Sequence, residues 1–348
     1  PEEAAKWKVV GGADKGGIVV REGQDLKSKE VPSRLATGTI IKEVSLAGER
    51  LQYERVSGMG PAKGWVSLKF KGSDLVVKTD KAATAKPAPI VMMFYSGGMT
   101  APQGRGQLKP GMNVITKEGL TDFVVGDHIG EEGYADCADF DDYTNRLAQK
   151  IDEDPKNHGR PVIIIAHSHG TVPAWGTAKK LGDRCLKLYV LTRRAPNGDL
   201  LDETWGVDSH EKVAEIDECK MLKEMLEAWP NAFLDEHKNS NPLPPAIKAC
   251  MDVIKRQYSS HVYPCGTADV ATICGEDQAI KAPIMALAAE KEARPKGEHA
   301  DKMQGWKDFT QGDFEVVVVP GVDHMGIMGA MSPSWPTIIK DMKMQMAK

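Results

Sequence analysis

The 348-residue sequence predicts an α/β protein with a mostly parallel sheet, preceded by a small all-β module. Two observations lead to this fold class. From residue 90 onward, apolar runs of strand length alternate with segments whose apolar residues recur at helical spacing. Before residue 80, short runs of alternating apolar and charged residues are separated by glycines. Fully apolar strands that alternate with helices are typical of a parallel sheet covered on both faces.

The first 80 residues are predicted to form a small β-barrel. Their strand-like stretches include GGIVVREG, GTIIKEVSLAGERLQYERV and GWVSLKFKGSDLVVKT. These stretches resemble bacterial-type SH3 domains, in which a Gly-Trp-Val strand closes the barrel. We expect a structural or docking module in residues 1–80, with specific ligand binding as the alternative. The Ala-, Lys- and Pro-rich residues 81–89 indicate a linker, and residues 90–348 form the second predicted domain.

Composition argues against several classes of partner. The formal net charge of −4 argues against nucleic acid. No apolar run approaches the roughly 18 residues of a membrane span, so no span is predicted. The sequence does not fix the compartment, and we expect a soluble intracellular protein, in the cytoplasm or a plastid.

The six cysteines show neither CxxC spacing nor another metal-binding pattern. We therefore predict free thiols in a reducing compartment and no metal site. Cys265 and Cys274 bracket a short polar loop, and a disulfide between them is the alternative.

The motif AHSHG, at residues 166–170, lies where a predicted strand meets a predicted helix. PVIIIAH has the pattern of a buried strand, and TVPAWGTAKKL has that of a helix with proline in its first turn, where proline is tolerated. In a nucleophile elbow, small residues two before and two after the serine let strand and helix pack closely. Ala166 and Gly170 occupy those positions around Ser168. We predict Ser168 as a nucleophile, with an ordinary strand-to-helix junction as the alternative.

A serine nucleophile also needs donors for the oxyanion that forms during acyl transfer. The backbone N–H of His169, at the start of the helix, is one predicted donor. The stretch FYSGGMT follows another apolar strand, and its glycines permit close backbone approach to a ligand. Ser96 or Gly97 is therefore the second predicted donor, and a plain glycine turn is the alternative.

The predicted base is His324, because it follows the apolar strand FEVVVV and a Pro-Gly turn. In α/β-hydrolases the order along the chain is serine, acid, histidine. His167 and His169 lie too close to Ser168 in sequence to reach its Oγ well, and we expect them to support the turn.

The acid is expected after the preceding strand, in the stretch APIMALAAEKEARP. Glu290 and Glu292 are the candidates there, with Glu298 and Asp301 further along the chain. A glutamate can take the place that aspartate usually holds in such a triad.

Five stretches resemble, in order, the thioesterases of polyketide, nonribosomal-peptide and fatty-acid synthesis, especially the free-standing type II group. They span about residues 88–330 and are VMMFYSGG, AHSHGTVPAWGTAKKL, VLTRRAP, PIMALAAEKEA and GWKDFTQGDFEVVVVPGVDHMGIM. The resemblance implies an α/β-hydrolase fold with Ser168 as nucleophile and His324 as base. The family's aspartate falls at Glu292, or at Glu290 with a small gap, which is a departure from the family pattern.

The resemblance further implies a serine hydrolase that releases or edits polyketide or fatty acyl chains through an acyl-serine intermediate. Its substrates would be thioesters on the phosphopantetheine of an acyl carrier protein or of coenzyme A, with no other cofactor. The family places a helical lid at about residues 199–265, where Met221, Met225 and Met251 are candidates to contact the acyl chain, or else ordinary core residues. A carboxylesterase or lipase acting on oxygen esters, and a non-catalytic binding protein on the same scaffold, are the alternatives.

Overall fold

The computed structural model describes residues 4–79, 87–196, 205–229, 232–260, 262–264, 270, 277–292 and 300–347. Most of the predicted linker and both cysteines of the alternative disulfide, Cys265 and Cys274, lie outside these residues. The chain divides into two compact units. The first comprises Pro1–Ile90, Gly111–Asp122 and Trp335–Lys348, and the second comprises Val91–Pro110 and Phe123–Ser334.

Strands and helices of the described residues are numbered in chain order. The strands are β1 (Lys6–Val9), β2 (Ile40–Ala47), β3 (Arg50–Ser57), β4 (Lys63–Ser67), β5 (Lys69–Phe70), β6 (Ser73–Asp74), β7 (Val76–Lys78), β8 (Ile90–Phe94), β9 (Phe123–Gly126), β10 (Val162–His167), β11 (Cys185–Leu191), β12 (Ile284–Ala289) and β13 (Phe314–Val319). The helices are α1 (Ala101–Lys117), α2 (Phe140–Asp152), α3 (Thr171–Leu181), α4 (His210–Glu215), α5 (Glu218–Ala228), α6 (Ala232–Asp235), α7 (Pro245–Tyr258), α8 (Ala300–Met303) and α9 (Ser334–Ala347). None of these helices is both long and apolar enough to cross a membrane.

The first unit contains an antiparallel sheet of five strands in the order β4–β3–β2–β1–β7. Apolar residues alternate along these strands, so that one face is buried, as the period of two requires. Trp7, Ile41, Leu51, Tyr53 and Val66 are among the buried residues of its core. The chain therefore has the N-terminal all-β module that the sequence predicts, while its likeness to SH3 domains stays a prediction.

Two segments later in the chain, Gly111–Asp122 and Trp335–Lys348, complete the first unit. Lys343 of α9 lies 2.8 Å from a carboxylate oxygen of Glu118, and its ammonium group also donates to Ser33 Oγ at 2.8 Å. The Lys343 and Glu118 side chains are only 4% and 11% exposed. Arg55 of β3 donates to the backbone carbonyl of Glu118 at 2.7 Å. The β-strands and these two segments thus share one buried ionic cluster.

The second unit contains the mostly parallel sheet that the sequence predicts. Its strands lie in the order β13–β12–β11–β10–β8–β9, and β8–β9, β10–β11, β11–β12 and β12–β13 pair in parallel. Every residue of β10 and β12 is buried, as expected for central strands between layers of helices. The apolar run FEVVVV is typical of a buried strand, but Val318 of β13 is 51% exposed. The reason is that β13 lies at the edge of the sheet, where its side chains have fewer neighbours.

Candidate active site

The turn after β10 has the geometry of a nucleophile elbow. Ser168 has a φ of 52°, in the left-handed region that residues other than glycine rarely adopt. A Cβ atom at Gly170 would lie 2.5 Å from the carbonyl oxygen of Tyr95, so glycine is required for the turn to approach β8 this closely. A parallel sheet with a serine turn between a strand and the following helix defines the α/β-hydrolase fold, and this chain has that fold.

His324 lies between Ser168 and Glu292. Its Nε2 atom is 2.9 Å from Ser168 Oγ, and its Nδ1 atom is 2.8 Å from Glu292 Oε1. All three residues are buried. With a proton on Nδ1 donated to Glu292, the lone pair of Nε2 faces the serine hydroxyl and can accept its proton. The structure thus brings the predicted nucleophile, base and acid into one hydrogen-bonded chain.

The other acid candidates that the structure describes, Glu290 and Asp301, do not reach His324. Glu290 is exposed, and its Oε2 atom accepts a hydrogen bond from the backbone N–H of Gly321 at 2.7 Å. Asp301 is exposed on α8, and Glu298 lies outside the described residues. The second carboxylate oxygen of Glu292, Oε2, is buried without a hydrogen-bond partner among the residues described.

His167 contacts the backbone of His324. Its Nε2 atom lies 2.7 Å from the carbonyl oxygen of His324, and its Nδ1 atom lies 3.3 Å from Nε2 of Gln107. Burial, with a smaller contribution from His324, lowers the pKa of His167 to about 3, so its ring is neutral at pH 7. The amide of Gln107 donates to Nδ1, and the Nε2–H therefore donates to the carbonyl of His324. This chain of hydrogen bonds fixes the backbone that carries the candidate base.

The ring of His169 lies in a buried aromatic cluster. It stacks on Tyr263 with ring centroids 3.9 Å apart and an angle of 8° between planes. Burial lowers the pKa of His169 well below its usual value, so its ring is neutral as well. Its backbone N–H lies in the first turn after the elbow, where no intrahelical acceptor is available. Among the described residues no acceptor is found for that N–H, which leaves it available to a ligand beside Ser168.

The loop after β8 holds the second pair of oxyanion candidates, Ser96 and Gly97. The backbone N–H of Ser96 donates to Oε1 of Gln107 at 3.0 Å and is therefore occupied. Gly97 keeps an N–H group without a partner in the described part of the chain. Of the two alternatives left open by the sequence, the structure therefore favours Gly97.

Other side chains fix the rest of this loop. The N–H of Gly98 donates to Oε1 of Gln257 at 2.9 Å. Nε2 of His128 lies 3.0 Å from the carbonyl oxygen of Tyr95, and burial lowers the pKa of His128 to about 4, so its neutral ring donates this bond. Gln107, Gln257 and His128 carry no sequence signal of such a role, because no local pattern shows which side chain of a neighbouring segment reaches the loop.

A cavity of about 700 Å³, counting the part open to solvent, lies next to Ser168. Side chains from the lid region line much of it, and they are Trp205, Met225, Trp229, Leu234, Cys250, Ile254 and Tyr258. Of the three predicted lid methionines, only Met225 lines this cavity. Met221 and Met251 are fully buried and do not line it. For Met251 the reason is that the cavity-facing positions of α7 are 250, 254 and 258, spaced by about one helical turn.

Among the described residues, no group of three or more His, Cys, Asp or Glu side chains is placed to hold a metal ion. The site therefore presents a serine, an imidazole, a carboxylate and backbone donors, a set suited to acyl transfer.

No protein-family model matches the sequence, and neither does any curated protein. Among solved structures, the chain is similar to the RedJ thioesterase of the prodiginine biosynthetic pathway in Streptomyces coelicolor, at 14% identity and a TM-score of 0.49, over 76% of this chain and 91% of that one. A lipase-esterase related protein from Clostridium acetobutylicum is similar at 17% identity and a TM-score of 0.48, over 74% and 95% of the two chains. YbtT, a type II thioesterase from the yersiniabactin pathway, is similar at 13% identity and a TM-score of 0.48, over 72% and 92%. Because these TM-scores lie below 0.5, the proposal below rests on this chain's own residues.

Proposed function

We propose that the protein is a serine hydrolase that cleaves acyl-thioesters through an acyl-serine intermediate. The observation that carries the proposal is the position of His324, with Nε2 at 2.9 Å from Ser168 Oγ and Nδ1 at 2.8 Å from buried Glu292. A buried carboxylate on the imidazole supports an enzyme rather than a non-catalytic binding protein, because a binding site gains nothing from that orientation.

The reaction begins when His324 Nε2 takes the proton of Ser168 as Oγ attacks the thioester carbonyl. The negative charge on the carbonyl oxygen is held by the N–H groups of His169 and Gly97. The C–S bond then breaks, and the imidazolium of His324 gives its proton to the leaving thiolate. Water, deprotonated by His324, attacks the acyl-serine, and the carboxylic acid leaves as Ser168 regains its proton.

The thioester itself is proposed on the five stretches that resemble type II thioesterases. The acyl group would arrive on the phosphopantetheine of an acyl carrier protein or of coenzyme A, and would occupy the cavity next to Ser168. Polyketide and fatty acyl chains are the proposed substrate class.

Labelling with a fluorophosphonate, followed by mass spectrometry of the digested protein, tests the nucleophile. We expect one labelled peptide, which contains Ser168, and no labelling of the Ser168→Ala protein. Hydrolysis of an acyl-pantetheine thioester by well-folded Ser168→Ala within tenfold of the wild-type rate would contradict the proposal.

The thioester preference is tested by comparing kcat/KM for octanoyl-pantetheine and for p-nitrophenyl octanoate. We expect the thioester to be the better substrate. A higher kcat/KM for the oxygen ester would instead indicate a carboxylesterase with the same catalytic chain.

A further inference from the structure

The ring of His128 bonds to the two peptide groups that carry the candidate oxyanion donors. Its Nε2 atom lies 3.0 Å from the carbonyl oxygen of Tyr95 and 3.2 Å from that of Ser96. Both partners are carbonyl oxygens, which only accept, so Nε2 carries the ring proton and shares it between them. The other ring nitrogen, Nδ1, is buried without a partner among the described residues, and it holds no proton because the buried ring is neutral.

These two carbonyl oxygens belong to the same peptide groups as the N–H groups of Ser96 and Gly97. Both peptide bonds are trans. A trans peptide is planar, and its C=O and N–H bonds point in opposite directions. A donor that holds the carbonyl of Ser96 therefore sets the direction of the Gly97 N–H, which leaves the peptide on the opposite side.

The Gly97 N–H lies between two N–H groups that already have acceptors. The N–H groups of Ser96 and Gly98 each donate to a glutamine side chain, at 3.0 and 2.9 Å. Gly97 lines the cavity next to Ser168, and its own N–H has no partner among the described residues. In that part of the chain only His128 donates to the carbonyl of Ser96, so this bond restrains the peptide that carries the Gly97 N–H.

The same bond makes the Gly97 N–H a stronger donor. A hydrogen bond to a carbonyl oxygen polarises its peptide group, so that the N–H of that group carries more positive charge. His128 is buried, and water does not compete for the bond. Orientation and polarisation therefore both favour negative charge on an oxygen that the Gly97 N–H faces.

The ring that makes this bond is itself held between aromatic neighbours. The centroid of the His128 ring lies 4.5 Å from that of Tyr95 and 5.3 Å from that of His169. The backbone N–H of His128 also donates to the hydroxyl of Tyr95 at 3.4 Å. A group that positions a reacting site must have its own rotamer fixed by packing, and His128 meets this condition.

We propose that His128 is a positioning residue, which orients the peptide between Ser96 and Gly97 so that the Gly97 N–H faces the oxyanion. His128 is not among the residues that line the cavity, and it acts through the peptide rather than on the substrate. This inference rests on the proposed serine hydrolase function.

Two substitutions of similar length and volume separate the hydrogen bond from packing. Glutamine at position 128 can still donate to the two carbonyl oxygens, whereas methionine cannot. We expect His128→Met to lower kcat for octanoyl-pantetheine about 10- to 100-fold with little change in KM, and His128→Gln to keep most of the activity. His158→Met is the control, because exposed His158 bonds to the carbonyl of Asp152, outside the site, and kcat should not change.

A pair of ketones distinguishes oxyanion stabilisation from damage to the cavity. Oγ of Ser168 adds to the carbonyl carbon of heptyl trifluoromethyl ketone, its proton passes to His324, and the ketone oxygen becomes an oxyanion. Methyl heptyl ketone occupies the same cavity without forming this adduct. In His128→Met, Ki for the trifluoromethyl ketone should rise about 10- to 100-fold, while Ki for methyl heptyl ketone should change little.

Equal weakening of the two ketones, or equal kcat values for His128→Met and His128→Gln, would overturn the inference and leave the proposed function standing. If the wild-type protein neither hydrolysed the thioester nor formed the adduct, the proposed function would be overturned, and this inference with it.

A further measurement needs no substitution at position 128 and applies if His128→Met does not fold. In wild-type protein labelled with ¹⁵N, the trifluoromethyl ketone should move the Gly97 amide proton and the His128 Nε2 proton downfield together, because both hydrogen bonds involve one peptide group. A shift of the Gly97 proton alone would overturn the inference.

Discussion

Glu292 uses one carboxylate oxygen to hold His324, and its other oxygen has no partner among the described residues. Oε1 lies 2.8 Å from Nδ1 of His324, while Oε2 is buried and unpaired among the described residues. A buried carboxylate with a single partner is better stabilised by an imidazolium than by a neutral imidazole. The carboxylate of Glu292 would therefore stabilise the positive charge that His324 acquires as Ser168 attacks.

The pair of glutamates near the end of β12 provides an internal control for this role. Glu292→Gln should lower kcat by as much as about 10⁴-fold, because an amide does not stabilise the imidazolium and can favour the wrong tautomer. Glu290→Gln should change kcat little, since Glu290 is exposed and bonds to the turn at Gly321. Steady-state kinetics on an acyl-pantetheine measures both. A near-normal kcat for Glu292→Gln would place the acid elsewhere.

His167 is expected to act by positioning His324. His167→Leu removes the donor to the carbonyl of His324, and a misplaced base should lower kcat about 10- to 100-fold with little change in KM. His167→Gln can still donate to that carbonyl and should recover most of the activity. If the two variants were equally impaired, the hydrogen bond to His324 would not be the cause.

Gly97 offers a test of the oxyanion site. A Cβ atom at this position would lie 3.0 Å from Cβ of His169, so alanine must displace the loop that carries the candidate N–H donor. We expect Gly97→Ala to lower kcat by about tenfold or more, up to the 10²- to 10³-fold typical of a lost donor. Gly106→Ala is the matched control, because a Cβ there meets no atom within 4 Å. Equal rates for the two variants would contradict a role for Gly97.

Stability should fall as the pH is lowered because His128 is buried in its neutral form. Its folded pKa of about 4 lies below the ordinary value of 6.5, so its contribution is fully present above pH 6.5 and is lost as the pH falls toward 4. Between pH 7.5 and 5, this residue should remove about 2 kcal/mol from the free energy of unfolding. Urea denaturation at pH 7.5 and pH 5 measures this loss. The fall in the free energy of unfolding should be smaller by that amount in His128→Gln than in the wild type, with the surface substitution His158→Gln as control. An unchanged pH dependence in His128→Gln would contradict the assignment.

Lys343 should be important for stability because it is the buried cation that pairs with Glu118. Lys343→Ala leaves Glu118 buried without its cation and should lower the free energy of unfolding by about 3–5 kcal/mol. Lys248→Ala is the control, because its pair with Asp252 is half exposed on both sides and should contribute little to stability.

The double variant Glu118→Gln/Lys343→Met separates charge from packing at the same place. It removes both charges and should recover most of the stability that Lys343→Ala loses. Equal losses in Lys343→Ala and in the double variant would show that packing, not charge, dominates there.

The sequence predicted the parts of the site that depend on local pattern. Ser168 was found from a strand that changes to a helix, and His324 from a turn after a later apolar strand. Glu292 and Glu290 were separated only by the structure, because a two-residue difference after β12 decides which side chain reaches His324. The roles of these residues stay predictions until they are tested.

Contacts that depend on how side chains pack between elements were not predictable from a local sequence pattern. Helix α1 has weak helical propensity because it contains glycines and Pro110, yet a Cβ atom at Gly104 would lie 2.2 Å from the ring of Tyr95. Its glycine is required by packing rather than by flexibility. The positions of Gln107 and Gln257 at the loop likewise follow from how the chain folds back on itself, which no local period reports.

The first unit contains segments from both ends of the chain, which has a consequence for its folding during synthesis on the ribosome. The β-strands before residue 80 are translated roughly 10 to 50 s before α9, at about 5–20 residues per second. During that time Glu118 has no Lys343 to pair with, and the unit remains incomplete. A premature stop codon ahead of residue 334 would therefore damage the N-terminal strands as well as remove the helix.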